Sequence, residues 1–158
     1  MKQLPAVTGF DDFDALIFRT DYADDEAWRS IAAALTAPWG PEGYEAHVHF
    51  VDEPAWADAT VEEVLAAVSW NEYVGIVFIA DHMTMVADHH ALLAVTTLSP
   101  DDLGEDHYRW ETKFGREYRT VPAEVQGIQA NENVANMDFN EFAGAAQEEP
   151  DRVFRGFQ

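Results

Sequence analysis

Three aspartates are the residues of this sequence best placed to do chemistry, because each follows a short apolar run. Asp21 follows the run at 15–20, Asp52 the run at 46–51, and Asp81 the run at 75–80. If the runs are parallel strands, the three carboxylates lie at the carboxyl edge of the sheet, where open α/β sheets bind ligands. Carboxylate oxygens are ligands that Mg²⁺ prefers. Asp21, Asp52 and Asp81 are therefore a candidate divalent-metal site that could hold Mg²⁺, and the sequence indicates no other cofactor. The alternative interpretation is that each aspartate caps a helix or ends a strand.

Two basic side chains stand beside these carboxylates. Arg19 lies near the end of its apolar run, and burying an unpaired guanidinium is costly. It is therefore expected either to bind an anionic ligand or to pair with an internal carboxylate. His82 directly follows Asp81 and completes the predicted binding set of Arg19, Asp21, Asp52, Asp81 and His82. Because close carboxylates repel one another, this edge is expected either to pair with Arg19 or to bind a divalent cation.

Histidines offer a weaker metal hypothesis. His47 and His49 alternate onto one face of a strand, and His82, His89 and His90 follow the third apolar run. No recognised zinc spacing is present, so solvated histidines on an edge strand and a loop are the simpler interpretation.

The elements that position these residues form a β-α-β-α-β pattern in the first half. The run at 76–80 is apolar at every position, which is typical of a strand buried on both faces. A first helix is predicted to run to Thr36, with Asp21, Asp24 and Asp25 as possible N-caps. A second helix begins at the capping box Thr60–Glu63. The strand at 45–51 has one polar face, which places it at a sheet edge and predicts the local order 2-1-3.

The second half has a weaker pattern. Its predicted elements are a loop or short helix at 82–90, a strand at 92–98, an acidic turn at 99–106, a hairpin or bent strand at 108–121, a short helix from Pro122, and a helix after the capping-box-like Asp138–Glu141. The aromatic tail at 153–157 is expected to pack back. The fold class predicted is a three-layer α/β sandwich in a single domain over 1–158. It has a parallel, flavodoxin-like start and a mixed, partly antiparallel second half.

Charge is the most unusual property of the composition. The net charge is −21, and no Lys or Arg occurs between Ser30 and Tyr108. Such a field repels nucleic acid and anionic membranes and attracts basic proteins or divalent cations. Simple solubility, or adaptation of a whole proteome, would give the same composition. There is no cysteine, which excludes disulfides and thiolate sites. The amino terminus has no apolar signal-peptide core, so a cytoplasmic protein is expected.

The function predicted first is that of a non-enzymatic acidic interaction domain, immunity- or antitoxin-like, that binds a basic protein. The alternative is a small metal-dependent enzyme or phosphoacceptor that uses the strand-end aspartates. Mimicry of nucleic acid is a third hypothesis, and charge alone supports it. No serine elbow, phosphate loop or dinucleotide-binding glycine pattern is present.

Four segments carry a resemblance to a known family. They are LIFRTDYADDEAW at 16–28, HFVDEPAW at 49–56, ANMDFNEFA at 135–143 and VFRGF at 153–157. Together they resemble a bacterial family of domains of unknown function, and the resemblance extends over nearly the whole chain. The segment 104–118 is longer than the family pattern. The resemblance implies no activity and assigns no functional residues.

Overall fold

One six-stranded sheet, in the spatial order β2-β1-β3-β4-β5-β6, forms the centre of the molecule. The structure is a computed structural model and describes residues 4–157. The strands are β1 Ala15–Arg19, β2 Val48–Val51, β3 Ile76–Ala80, β4 Leu92–Thr96, β5 Glu117–Thr120 and β6 Val153–Phe154.

The strand directions agree with the predicted fold. β1 pairs in parallel with both β2 and β3, which confirms the local order 2-1-3 and the edge position of β2. β4 is antiparallel to β3 and to β5, and β6 is parallel to β5. Five of the six strands in residues 4–157 therefore run in one direction, and β4 alone is reversed. The second half is mixed, as predicted.

Helices cover both faces of the sheet and make a three-layer α/β sandwich. They are α1 Asp25–Thr36, α2 Val61–Val68, α3 His82–Val86, α4 Pro100–Leu103, α5 Glu105–Glu111, α6 Val125–Asn133 and α7 Phe139–Glu148. α1, α6 and α7 pack in one apolar layer, and α2 packs in the other with Trp56. α1 and α2 thus lie on opposite faces, as right-handed crossovers require when strand order reverses. None of the helices within 4–157 is both long and apolar enough to cross a membrane.

The apolar run at 76–80 is the central strand that the sequence predicted. Every residue of β3 is buried, and the same holds for β1 and β4, its two neighbours. Alternate side chains belong to the two apolar layers: Ile76 and Phe78 to one, Val77 and Ile79 to the other. A strand covered on both faces has to be apolar at consecutive positions.

The first two long helices begin where capping residues allow. Asp24 is the N-cap of α1, and its carboxylate accepts a hydrogen bond from the Ala27 N–H at 3.0 Å. The predicted capping box of α2 is formed in both directions. The Glu63 N–H donates to Thr60 Oγ1 at 3.2 Å, and the Thr60 N–H donates to Glu63 Oε1 at 2.9 Å. These bonds satisfy N–H groups that the first turn of a helix leaves without partners.

β2 is shorter than predicted and begins at Val48 rather than at residue 45. A side chain from α6 contacts the residue before it. Gln126 accepts a hydrogen bond from the His47 N–H at 2.9 Å and donates to the His47 carbonyl at 3.1 Å. The same carbonyl accepts the Ala15 N–H of β1 at 2.9 Å, so His47 is bonded to both β1 and α6.

The segment 99–121 differs most from its prediction. The expected acidic turn and hairpin are replaced by α4 and α5, and only Glu117–Thr120 forms a strand. Acidic residues in the first turns favour these helix starts. α7 then holds α5 in place, because Asn140 Nδ2 donates to the Trp110 carbonyl at 2.9 Å. Aromatic residues gave this segment a strand-like pattern, and tertiary contacts overrode it.

Helix α7 begins where the sequence predicted, but a different side chain accepts the hydrogen bond at its start. Asp138 occupies the N-cap without a side-chain capping bond. The carboxylate of Glu111, from α5, accepts the Phe139 N–H instead. The tail does pack back, as predicted, because Val153 and Phe154 are buried and form β6 beside β5.

Replacing Thr60 with alanine tests the α2 cap. We expect Thr60→Ala to lower the free energy of unfolding by about 1 kcal/mol, because it removes the acceptor for the Glu63 N–H. Thr60→Ser keeps that hydroxyl and should stay close to the parent. The urea midpoints of the three proteins measure the effect, and equal midpoints for the alanine variant and the parent would contradict it.

Candidate functional site

The carboxyl edge of the sheet brings together the residues selected from the sequence. β1, β2 and β3 end there in the same direction, followed by Asp21, Asp52 and Asp81 respectively. β5 also runs in this direction, because it is separated from β3 only by the reversed β4. Arg119, near the end of β5, therefore lies at the same edge as the aspartates.

Arg19 is buried and contacts three acidic residues. Its Nη2 lies 2.6 Å from Asp25 Oδ1, its Nη1 lies 3.4 Å from Asp52 Oδ1, and its Nε donates to the Asp21 carbonyl at 3.0 Å. The guanidinium carbon lies 4.2 Å from the centroid of the Tyr22 ring and 5.2 Å from that of Trp28. Of the two roles predicted for Arg19, the geometry matches internal ion pairing.

Two aromatic side chains complete this arrangement. Trp28 Nε1 donates to Asp52 Oδ2 at 3.1 Å, so the Asp52 carboxylate is shared between Arg19 and the indole. The Tyr22 hydroxyl donates to the Glu53 carbonyl at 2.7 Å. Burial, reinforced by the nearby charge of Asp52, raises the pKa of Tyr22. Tyr22 therefore stays a neutral hydrogen-bond donor at this edge.

Asp81 forms a bidentate ion pair with Arg119. Arg119 Nη1 and Nη2 each lie 2.8 Å from one oxygen of the carboxylate. Asp81 is also the N-cap of α3, since its Oδ1 accepts the Thr84 N–H at 3.2 Å. Burial opposes ionisation, but the hydrogen bonds and charge of Arg119, with the Thr84 bonds, lower the pKa of Asp81. The carboxylate is thus ionised and committed to two internal roles.

Asp21 has separate partners from the other two aspartates. It accepts the Ala23 N–H at 2.8 Å, and its Oδ2 lies 2.7 Å from His82 Nδ1. The Ala23 hydrogen bond lowers the pKa of Asp21, burial opposes this, and the contact with His82 lowers it further. The His82 side chain is 77% exposed, so the pair lies at the surface.

These contacts do not reproduce the metal centre predicted from the sequence. Within residues 4–157, no group of three His, Asp or Glu side chains is arranged to hold a metal ion. Asp21, Asp52 and Asp81 share an edge but not a common ligand position, because each carboxylate is taken up by its own partners. The same finding covers the histidine hypothesis for His47, His49, His82, His89 and His90.

Arg119 is the residue at this edge that the sequence did not predict. Four basic residues lie within 109–119, and this local concentration was the available signal. Choosing Arg119 among them required the sheet order. The ladder runs from Ile79 to Leu93 and from Leu93 to Arg119, which places Arg119 two strands from the carboxyl end of β3.

A second polar cluster lies beneath α6. The Glu132 residue is partly exposed, but its Oε2 is inaccessible to solvent and has no hydrogen-bond partner in residues 4–157. The buried hydroxyl of Tyr118 on β5 has none either. Burial, together with the charges of Glu111 and Asp138, raises the pKa of Glu132 to about 8. Burial and Glu132 also raise the pKa of Tyr118. Glu132 is therefore protonated in the folded protein at neutral pH.

An open cavity of about 800 Å³ lies at the opposite edge of the sheet. It lies at the amino ends of β1 and β2, where Asp14 and His47 precede the strands. Aromatic side chains at its wall are Phe13, Trp39 and Tyr44. Of the residues named here, the sequence pointed only to His47, as a candidate metal ligand, and to none of the three aromatic side chains. The aromatic turn around Trp39 was visible in the sequence, but its proximity to 11–14 depends on the fold.

Asp81→Asn tests the ion pair with Arg119. We expect the free energy of unfolding at pH 7 to fall by about 2 kcal/mol, because a partly buried guanidinium loses its charged partner. A carboxylate with a lowered pKa stabilises the folded state above its unfolded pKa, and this contribution is lost as the pH falls through the folded pKa. The difference from the parent should therefore shrink below about pH 4.

Chemical denaturation at several pH values measures this difference. Asp151→Asn is the matched control, because Asp151 pairs with Arg155 at the exposed surface. It should have a much smaller effect. A loss of stability for Asp81→Asn that is the same at pH 3 and pH 7 would contradict the ion-pair interpretation.

Glu132→Gln tests the buried carboxyl. The folded pKa of about 8 lies above the ordinary value of 4.5, so folding retains a proton that the unfolded chain releases between these values. The parent should therefore lose stability as the pH rises from about 5 to about 8. The variant, which cannot ionise, should lose less. Melting temperatures across this range measure the effect, with the exposed Glu148→Gln as control. Equal slopes for all three proteins would contradict it.

Comparison with protein families gives a match over most of the chain. No curated protein matches the chain. The family model described as a domain of unknown function, DUF6924, matches residues 14–157. This range contains all six strands and seven helices described above, and it confirms the resemblance found in the four sequence segments. Asp11, Asp12 and Phe13 precede it. The chain belongs to the family described as Domain of unknown function (DUF6924).

Proposed function

We propose that this chain is an acidic interaction domain that binds a basic protein partner, in the manner of an immunity protein or antitoxin. One observation carries the proposal: five of the eight Lys and Arg side chains of residues 4–157 pair with the protein's own carboxylates. Those in ion pairs are Arg19, Arg109, Arg116, Arg119 and Arg155. Because acidic residues far outnumber basic ones, the charge that remains for a partner is predominantly negative.

The exposed carboxylates support this proposal. The span from Ser30 to Tyr108 holds no Lys or Arg, and most of its acidic residues are exposed. Exposed examples from this span are Glu42, Glu45, Glu53, Asp58, Glu72, Asp88, Asp101 and Glu105. A surface of one sign accelerates association with an oppositely charged protein and disfavours nucleic acid and anionic membranes.

The enzymatic alternative has less support from the geometry. A divalent-metal enzyme or phosphoacceptor would need free carboxylates at the carboxyl edge of the sheet. Asp81 is instead held by Arg119 through two hydrogen bonds, and Asp52 is shared by Arg19 and Trp28. A cation would have to displace a guanidinium at each position. The ion pairs therefore favour the interaction domain over the enzyme.

Salt dependence tests the proposed function. The immobilised protein is used to capture basic proteins from an extract of the native cells, and the dissociation constant of a purified partner is then measured at increasing salt. We expect affinity to fall at least tenfold between about 0.1 M and about 1 M salt, because screening shortens from about 10 Å to about 3 Å. Affinity that stays constant over this range would contradict an electrostatic partner.

A further inference from the structure

The cavity at the amino ends of β1 and β2 combines aromatic and acidic walls. Its carboxylates are Asp11, Asp12, Asp14 and Glu45, and no Lys or Arg of residues 4–157 lines it. The aromatic faces of such a wall attract cations through their ring quadrupoles. The negatively charged carboxylates attract cations as well. An anionic ligand is disfavoured on both counts.

The aromatic side chains are positioned by short, well-bonded turns. Trp39 and Tyr44 form an isolated bridge, with N–H to carbonyl distances of 2.9 and 2.7 Å, and their ring centroids are 5.4 Å apart. Gly40 makes this turn possible. Its φ is +76°, and a Cβ there would come within 3.3 Å of the Tyr44 ring. The pair is therefore formed before any ligand arrives.

Phe13 faces the pair from a separate turn. The Asp14 N–H donates to the Asp11 carbonyl at 3.0 Å, and the Asp11 N–H donates to Asp14 Oδ2 at 3.0 Å. These two bonds close the turn, and its Phe13 is 66% exposed. An exposed aromatic held in a closed turn beside a cavity is available for a ligand.

Helix α6 supplies a polar wall with an unused acceptor. Gln126 has both its side-chain atoms bonded to the His47 backbone, so it offers nothing to a ligand. Gln129 is only 7% exposed, and its Nε2 donates to Asn133 Oδ1 at 3.2 Å. Its Oε1 has no partner within residues 4–157. A buried acceptor without a donor is costly. Both this Oε1 and Asn133 Nδ2, which also has no partner within residues 4–157, are closed to solvent, so a ligand N–H reaches the acceptor only if the Gln129 side chain turns toward the cavity.

We propose that this cavity, lined by Phe13, Trp39, Tyr44 and Gln129, binds an arginine side chain presented by the basic partner. This inference rests on the proposed function and names its contact point. A planar guanidinium stacks on aromatic rings, carries five N–H donors and pairs with carboxylates, whereas a lysine ammonium does not stack. A cavity of about 800 Å³ has room for the side chain and its flanking peptide.

A short peptide of alternating arginine and glycine is the probe. Its dissociation constant is measured by calorimetry, and the Trp39 indole N–H is followed by nuclear magnetic resonance. Two further peptides replace arginine with citrulline, the neutral isostere, or with lysine. We expect the arginine peptide to shift the Trp39 resonance and bind most tightly. Citrulline should bind at least tenfold more weakly, because it lacks the charge.

Variants locate the contact. Phe13→Ala should weaken binding about fivefold and Trp39→Ala about tenfold, as expected for lost contacts with a cation. Phe13 is mostly exposed, so its variant should fold normally even if Trp39→Ala does not. Tyr73→Ala is the matched control, because Tyr73 is 70% exposed and does not line this cavity. It should leave binding unchanged.

The outcomes separate this inference from the proposed function. One outcome is salt-sensitive binding of the arginine peptide with an affinity that Phe13→Ala and Trp39→Ala do not change. That result would overturn the cavity as the binding site and would leave the proposed acidic interaction domain intact. Equal binding of the lysine peptide through the same residues would overturn the preference for guanidinium. Absence of salt-sensitive binding to every basic peptide and to the extract would overturn both.

Discussion

The need to cover both faces of the central strands governs the rest of this structure. β1, β3 and β4 are buried at every position, so their side chains are almost wholly apolar and helices must pack on each side. Polar groups inside such layers are costly unless they are paired. The chemistry of the protein is therefore confined to the two edges where the strands begin and end.

The carboxyl edge illustrates how pairing resolves this constraint. Arg19 is the last residue of β1 and is only 5% exposed, so it needs the negative groups around it. Arg119 and Asp81 meet across the reversed strand β4 and satisfy one another. These contacts connect the ends of the strands to the starts of the helices. Each pair withdraws one positive and one negative charge, so the net charge that a partner would encounter stays negative.

The amino edge differs because its polar groups are not all satisfied. No Lys or Arg of residues 4–157 lines its cavity, and the Gln129 Oε1 has no donor. Functional sites commonly retain such incomplete pairing, because a ligand completes it. The contrast between a satisfied edge and an unsatisfied edge is the physical basis for placing recognition at the beginning of the strands. It is the opposite choice from the usual ligand position in open α/β sheets.

The sequence by itself determined the features that depend on neighbours along the chain. The unbroken apolar run identified β3 as a strand buried on both faces, and Thr60 with Glu63 identified the start of α2. In both cases the physical cause, side-chain burial or a local hydrogen bond, acts within a few residues. The three aspartates were also placed correctly at strand ends, since a strand end is a local property.

Only the tertiary structure decided which residues meet. The partner of Asp81 lies 38 positions away, and its identity depends on the order and direction of β3, β4 and β5. The same holds for Glu111, whose carboxylate takes the capping role expected of Asp138, and for α5, where contacts with α7 overrode a strand-like pattern. The cavity joins 11–14, the turn at Trp39 and α6, three segments with no local relation. Long-range contacts such as these depend on the packing of whole elements, which no short stretch of sequence encodes.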